Sequence, residues 1–415
     1  MRADVLGQVL VRAGAWVALI ACVLLQDRST FFEPRPVFWL ALAALFLVVA
    51  QLVPLPPMIW QALPGRAMLA QAVEGAAAPY RPLAIVPGAA INAASSLVVP
   101  FAVLFGMNGV CANEKRWIFV LILGLIVASM LIGLIQFSGV DLRNPLLNGD
   151  ERQVRGLFAN RNHFALFMAM GCVMAPVWAF PPNHRSGWRV PVLLGLLALF
   201  LLMILATGSR AGLVLGGLGL VLGGLLVWPR VRRQTSHYPR WVLPLGSVLL
   251  MAGFVAISVA AGRAASIDRL FAMDQAQDMR TRALPTVLGM IRTYFPVGSG
   301  FGGFDPIFRI HEPFELLKTT YFNHAHNDFL EIVLDGGLPA ALLMGAALIW
   351  WGYASFRALR STPGSSDGVP PMLGSALLLL LWIASLFDYP ARTPMMMAMT
   401  IIAAIWLAQP RKERA

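Results

Sequence analysis

Charge is scarce in this chain. Of its 415 residues, Asp, Glu, Lys and Arg together supply 13%, while the hydrophobic residues supply 58%. A soluble domain carries roughly 25% charged residues, and no soluble domain of ordinary size is expected here. The longest polar stretch runs over about residues 263–325. Cysteine is scarce as well. Cys22, Cys111 and Cys172 are odd in number, widely spaced and set in or beside apolar runs, which excludes a disulfide framework and a cysteine-based metal motif. Lysine is almost missing, with Lys115, Lys318 and Lys412 the whole set. The cations are therefore nearly all arginine, whose planar fork suits bidentate phosphate recognition. No convincing small-residue cleavage site follows the first apolar run, so that run is expected to be a retained span rather than a signal peptide.

What is abundant is hydrocarbon. Mean hydropathy is +0.71, and apolar runs of roughly 17–25 residues recur, each long enough to cross a bilayer. Spans are expected at about 7–25, 37–55, 90–111, 117–137, 163–180, 190–206, 211–228, 242–261, 329–353, 371–387 and 394–408. The fold class is an all-α polytopic membrane protein. Its net charge of +12 is what cytoplasmic loops contribute under the positive-inside rule, so nucleic acid is not the expected partner. The short basic segments 113–116, 184–189, 230–240, 357–360 and 411–414 fall on one side, expected to be cytoplasmic. The opposite, outer side receives 56–89, 138–162, 207–211, 263–325 and 388–393. Eleven spans also leave the N-terminus outside. The expected divisions are 1–84, N-terminal spans and an external loop; 85–262, a transmembrane core; 263–325, a long external loop with an amphipathic helix; and 326–415, the C-terminal spans.

Two glycine patterns are read as structural. Gly212, Gly216, Gly219 and Gly223 recur at intervals of three and four, as in closely packed membrane helices. The run Gly298-Ser299-Gly300-Phe301-Gly302-Gly303 has dinucleotide-binding spacing, but no βαβ unit surrounds it. A tight loop near the site is expected there.

Polar groups cost several kcal/mol each to bury in hydrocarbon unless they are partnered. Against that background the segment from Asn323 to Glu331 stands out, with two imidazoles, two carboxylates and two amides in nine residues. It admits three readings. A metal could be held by His324, His326 and Asp328, but no third His or Cys has ligand spacing. Asn323 and Asp328 could cap the following span in a structural knot. Or a histidine at the outer surface, oriented by a carboxylate, could take a proton from an attacking hydroxyl. The third is favoured, with His326 preferred over His324 because it sits nearest the helix start. Asp328 and Glu331 are its candidate orienters, while Glu331 and Asp335 also have a structural reading. Asp388 and Arg392, in the last external loop, are expected to pair or to shape the rim.

The outer side should be poor in positive charge, yet Arg155, Arg210, Arg280 and Arg282 lie there. Ser209 can cap a helix whose first turn holds Arg210. A cation in that turn opposes the helix dipole unless an anion joins it, and helix amides with a guanidinium make a phosphate cradle. Arg280 is expected just before a helix carrying Leu284, Val287, Leu288 and Ile291 on one face, with Pro285 in its first turn. A snorkelling Arg210, and pairing of Arg280 with Asp274 or Asp278, are the bland alternatives.

These motifs occur in order: Arg155-Gly156-Leu157-Phe158-Ala159-Asn160, Thr207-Gly208-Ser209-Arg210-Ala211-Gly212, Arg280 ahead of Pro296-Val297-Gly298-Ser299-Gly300-Phe301, and the 324–331 segment leading into Asp335-Gly336-Gly337-Leu338. Over about residues 85–410 the set resembles the O-antigen ligase/polymerase superfamily of bacterial membrane glycosyltransferases. The resemblance implies about 11–12 transmembrane helices of the lipid-carrier glycosyltransferase type, one long periplasmic loop and a periplasmic active site in the inner membrane. It implies a glycan donor on undecaprenyl diphosphate, no metal and no cofactor. It places the essential histidine at His326 and the diphosphate-binding arginines at Arg210, Arg280 and Arg155, with His324, Asn327, Asp328 and Glu331 in support. The acceptor would be another glycan, for a polymerase, or lipid A core, for a ligase. A transporter of a lipid-linked anion is the rival class. It calls for charge near the bilayer midplane and for repeated halves, whereas here charge gathers at span ends and the halves do not repeat.

Overall fold

The computed structural model describes residues 5–25, 32–71, 79–109, 115–139, 153–182, 187–234, 275–317, 322–360 and 371–409. In chain order its helices are α1 (Val5–Leu25), α2 (Arg35–Ala50), α3 (Pro57–Ala62), α4 (Ala67–Gln71), α5 (Pro87–Ser96), α6 (Val98–Asn108), α7 (Lys115–Phe137), α8 (Arg161–Ala179), α9 (Arg189–Thr207) and α10 (Arg210–Gln234). After them come α11 (Gln275–Tyr294), α12 (Phe304–His311), α13 (Asp328–Arg360), α14 (Pro371–Ser385) and α15 (Pro394–Ala408). Strand pairing among the described residues is confined to Pro54–Leu55 against Arg81–Pro82, antiparallel. The chain is an all-α polytopic membrane protein. Seven helical stretches among the described residues are long and apolar enough to cross a bilayer, and α2, α14 and α15 are shorter apolar helices. The expected span at 242–261 lies outside the described residues. The span expected at 90–111 is two helices, α5 and α6, meeting at Leu97.

The chain forms two compact units. One comprises Met1–Leu10, Val110–Met273 and Arg357–Ala384; the other comprises Val11–Gly109, Asp274–Phe356 and Ser385–Ala415.

In the first unit the spaced glycines do what their spacing predicts. A Cβ at Gly212 would meet Ala165 Cβ at 2.5 Å, one at Gly219 the Ala169 carbonyl oxygen at 2.6 Å, and one at Gly223 the Cys172 carbonyl oxygen at 2.5 Å. Helix α10 therefore lies directly on the backbone of α8, the two running parallel. Gly216 instead makes room for Ile204 of α9. Small residues permit this approach where lipid supplies no hydrophobic drive for helix association.

In the second unit a core forms beneath the polar segment. Ala283, Val287, Met290 and Tyr294 of α11 pack with Phe304, Ile307 and Phe308 of α12 and with Leu334 of α13, and Phe322, Ala325 and Leu330 rest on them. Full burial of each large side chain contributes about 1.5–3 kcal/mol. The amphipathic face differs from the expected one. Val287 packs inward, whereas Leu284 and Leu288 are 41% and 39% exposed. Helix α11 also begins at Gln275, so Pro285 is interior and Arg280 lies inside the helix, not ahead of it. The good helix formers Gln275, Ala276, Gln277 and Met279 extend the helix upstream of the proline.

The glycine loop is structural, as its setting predicted. Gly298, Gly300 and Gly302 have φ of 88°, 106° and 76°, open to glycine without steric cost. The loop lies against a break in α13 at Gly337 (φ 60°, ψ −147°). Ser299 N–H donates to the Leu334 carbonyl and Gly300 N–H to that of Asp335, both at 2.9 Å. Arg66, fully buried, donates to the carbonyls of Leu83 (2.7 Å) and Gly298 (3.1 Å). Burial lowers its pKa to about 10, which leaves it charged at neutral pH. This clamp sets the position of the first two turns of α13.

Candidate active site

Helix α13 starts where its sequence changes from polar to apolar. Asn327 Oδ1 accepts from Leu330 N–H (3.1 Å) and the Asn327 carbonyl from Glu331 N–H (3.1 Å), so Asn327 is the N-cap. The cap expected from Asn323 and Asp328 is instead the intervening amide; Asn323 is exposed and Asp328 is already helical. Asp328 and Glu331 place negative charge in the first turn, where the helix dipole favours it. Asn327 also donates through Nδ2 to the Leu386 carbonyl at 3.1 Å.

Just before the cap, His326 has φ of 50°, the one positive value at a non-glycine residue among those described. Such a backbone costs on the order of 1–3 kcal/mol and persists where its surroundings over-determine it. Its ring is held by Asp388, with Nδ1 3.0 Å from Oδ1. Phe322 and Tyr389 flank it, at ring centroid distances of 5.3 and 5.1 Å. Asp388 Oδ1 also accepts from Tyr389 N–H at 3.0 Å, and Oδ2 lies 3.9 Å from Arg280 Nη2. Arg280 Nη1 donates to the Phe387 carbonyl at 3.0 Å. The structure thus makes a chain from Arg280 through Asp388 to His326. Burial lowers the His326 pKa below the ordinary imidazole value of 6.5; Arg280 and His324 push the same way, and Asp388 opposes them. The ring is therefore neutral at pH 7. With a proton on Nδ1 shared toward Asp388, Nε2 is left as a base.

Asp388 is the orienter of His326, a role expected of Asp328 or Glu331. Those two, with Asp335, form one buried face of α13 that converges on Arg392 instead. Its Nε lies 3.5 Å from Asp328, its Nη1 3.2 Å from Glu331 and its Nη2 3.2 Å from Asp335. The expected Asp388–Arg392 pair is thus replaced by two separate clusters. Asp328 further accepts from the Ser385 hydroxyl (2.9 Å) and Ala391 N–H (3.1 Å). Glu331 accepts from Ala325 N–H (2.7 Å) and meets His324 Nδ1 at 2.8 Å. The carboxylates raise the Arg392 pKa and keep it charged, against its burial.

His324, His326 and Asp328 turn to three different partners, so they do not converge as a metal site would. Among the described residues no group of three or more His, Cys, Asp or Glu has metal-holding geometry.

Arg210 and Arg155 belong to the other unit. Arg210 is the first residue of α10, and Ser209 caps that helix by accepting from Gly212 N–H at 2.9 Å. Gly208, at φ 65°, ends α9, and Ser209 N–H donates to the Thr207 hydroxyl at 3.1 Å. Arg155 sits in a loop fixed to α7. Gln136 Oε1 accepts from the N–H groups of Arg155 and Gly156 at 2.9 and 2.8 Å, and the Arg155 guanidinium bonds Gln153. The structure brings together His324, His326, Asn327, Asp328, Glu331 and Arg280. It also brings in Asp388 and Arg392, which the sequence offered only as a pair or as the rim of the site, and adds Tyr389, which the sequence did not single out.

Residues 193–345 match the family model described as O-antigen ligase. The matched interval includes Arg210, Arg280, His324, His326 and the three carboxylates of α13. Arg155, Asp388 and Arg392 lie outside it. No curated protein matches the chain.

Proposed function

We propose that the chain, whose residues 193–345 match the O-antigen ligase family model, transfers a glycan from undecaprenyl diphosphate to a hydroxyl of an acceptor glycan. The reaction takes place on the periplasmic face of the bacterial inner membrane, and the product is a lengthened surface polysaccharide. The observation that carries this reading is the Arg280–Asp388–His326 chain, which puts an oriented neutral imidazole beside a cation suited to phosphate.

The acceptor hydroxyl attacks the anomeric carbon of the donor. A new C–O bond forms as the bond from that carbon to the diphosphate oxygen breaks. The hydroxyl proton passes to His326 Nε2, general-base help worth about 10²–10⁴-fold. Asp388 holds the ring in the tautomer that makes this possible and balances the charge that develops on it. Arg280 stabilises the departing diphosphate; within the other unit, Arg210 and the first-turn amides of α10 form a cradle whose chemistry also suits a phosphate. A single displacement inverts the anomeric centre.

The matched family's description favours a second reading, transfer of finished glycan to lipid A core. Glycan analysis of a deletion strain complemented with wild-type or His326→Ala protein separates the two. Single repeats or short chains with His326→Ala support a polymerase. Full-length glycan left on the lipid carrier supports a ligase. A wild-type profile with His326→Ala, the protein still in the membrane, sinks both.

A further inference from the structure

The mechanism above uses one of two histidines that are held in the same way. His324 Nδ1 faces Glu331 Oε1 at 2.8 Å, as His326 Nδ1 faces Asp388 at 3.0 Å. An ionised carboxylate only accepts, so a neutral ring at either position would carry its proton on Nδ1 and leave a lone pair on Nε2. Neither Nε2 is bonded by any of the described residues. Both side chains reach the surface, His324 at 27% exposure and His326 at 16%. Tyr389 touches both rings, with centroids at 4.2 and 5.1 Å.

Glu331 does not need His324. It already accepts from Ala325 N–H at 2.7 Å and meets Arg392 at 3.2 Å. The pairing is better explained by what it does for the imidazole, which it holds by Nδ1 and leaves with Nε2 on the far side of the ring.

Resting on the glycan-transfer reading, we propose that His324 binds the acceptor, its Nε2 accepting a hydrogen bond from a second hydroxyl of the sugar whose reacting hydroxyl gives its proton to His326. The acceptor is thereby a sugar with two free hydroxyls that lies along the His324–Tyr389–His326 surface. His324 orients the nucleophile and so acts as a positioning residue.

Two amide variants separate this role from a structural one. His324→Asn places an N–H donor where Nδ1 stood and keeps the Glu331 contact, but has nothing at Nε2. His324→Gln places a polar amide near Nε2 and loses that contact. The purified variants are assayed with lipid-linked glycan and acceptor extracted from the deletion strain, titrating each in turn, and their thermal unfolding is followed. The Asn variant should unfold with the wild type yet show an acceptor KM raised about five- to tenfold, the loss of one hydrogen bond. Its donor KM should stay within about twofold, and the Gln variant should recover part of the acceptor KM. Wild-type acceptor KM in the Asn variant, or an Asn variant that binds acceptor better than the Gln variant, overturns the proposal. A His326→Ala protein that still transfers glycan defeats instead the reading on which it rests.

Discussion

His326 Nδ1 lies 3.0 Å from Asp388 Oδ1, although 62 positions of chain separate the two residues. The contact makes the carboxylate of a loop between two apolar helices the partner of a histidine placed just before a third. It also lets one side chain serve two tasks, since Asp388 faces Arg280 through its other oxygen.

The first prediction concerns pH. A protonated His326 cannot accept a proton, and burial has lowered its pKa. The kcat/KM profile should therefore be flat through neutrality and fall only as pH drops below the ordinary imidazole value. Asp388→Asn removes the two contributions that raise this pKa, the hydrogen bond and the charge. It should move the acid limb to lower pH while cutting the rate by about 10²–10⁴, because an amide permits the wrong tautomer. An acid limb that stays put or moves upward in Asp388→Asn argues against the pairing.

The arginines are expected to act on the donor. Arg280→Lys and Arg210→Lys each replace a fork by a point charge, so donor KM should rise, by about tenfold, with acceptor KM little changed. Alanine at either site should cost more. Wild-type donor kinetics in the Lys variants would mean that these cations serve only the membrane interface.

Both chemical roles in this reading belong to side chains, a base at His326 and cations at Arg280 and Arg210. Turnover by detergent-solubilised protein should thus persist in EDTA. Activity that is lost to the chelator and restored by a divalent ion would require a metal at the diphosphate.

The apolar helices among the described residues were legible because hydrocarbon runs of bilayer length have few other uses, and the 323–331 segment stood out because polar groups are costly beside them. Pairing at long range was not legible. Nothing near His326 in the chain distinguishes Asp388 from Asp328 or Glu331; the choice is made by α13, whose first turn sends both of those carboxylates inward to Arg392. The start of α11 was misplaced for a local reason. Proline favours a first turn, but the residues before Pro285 form helix well, and the buried face of Ala283, Val287, Met290 and Tyr294 outweighs the interior proline.

Arg392 carries the last prediction. Three carboxylates meet this one guanidinium in a buried cluster, and Oδ1 of Asp328, Oδ1 of Asp335 and Nε of Arg392 have no hydrogen bond among the described residues. The cluster is thus held by charge more than by hydrogen-bond geometry. Removing one partner of a buried pair costs about 3–5 kcal/mol, because the remaining charge is left uncompensated. Arg392→Met should lower the unfolding midpoint of the solubilised protein by many degrees, and Arg392→Lys by less, since one ammonium cannot reach carboxylates on successive turns equally. Adding Glu331→Gln and Asp335→Asn to Arg392→Met removes two of the three uncompensated buried charges and should recover part of the midpoint. An Arg392→Met protein as stable as wild type would mean that the three acids sit protonated and need no cation. Recovery of stability without recovery of transfer would show that the same cluster also holds His324 in place through Glu331.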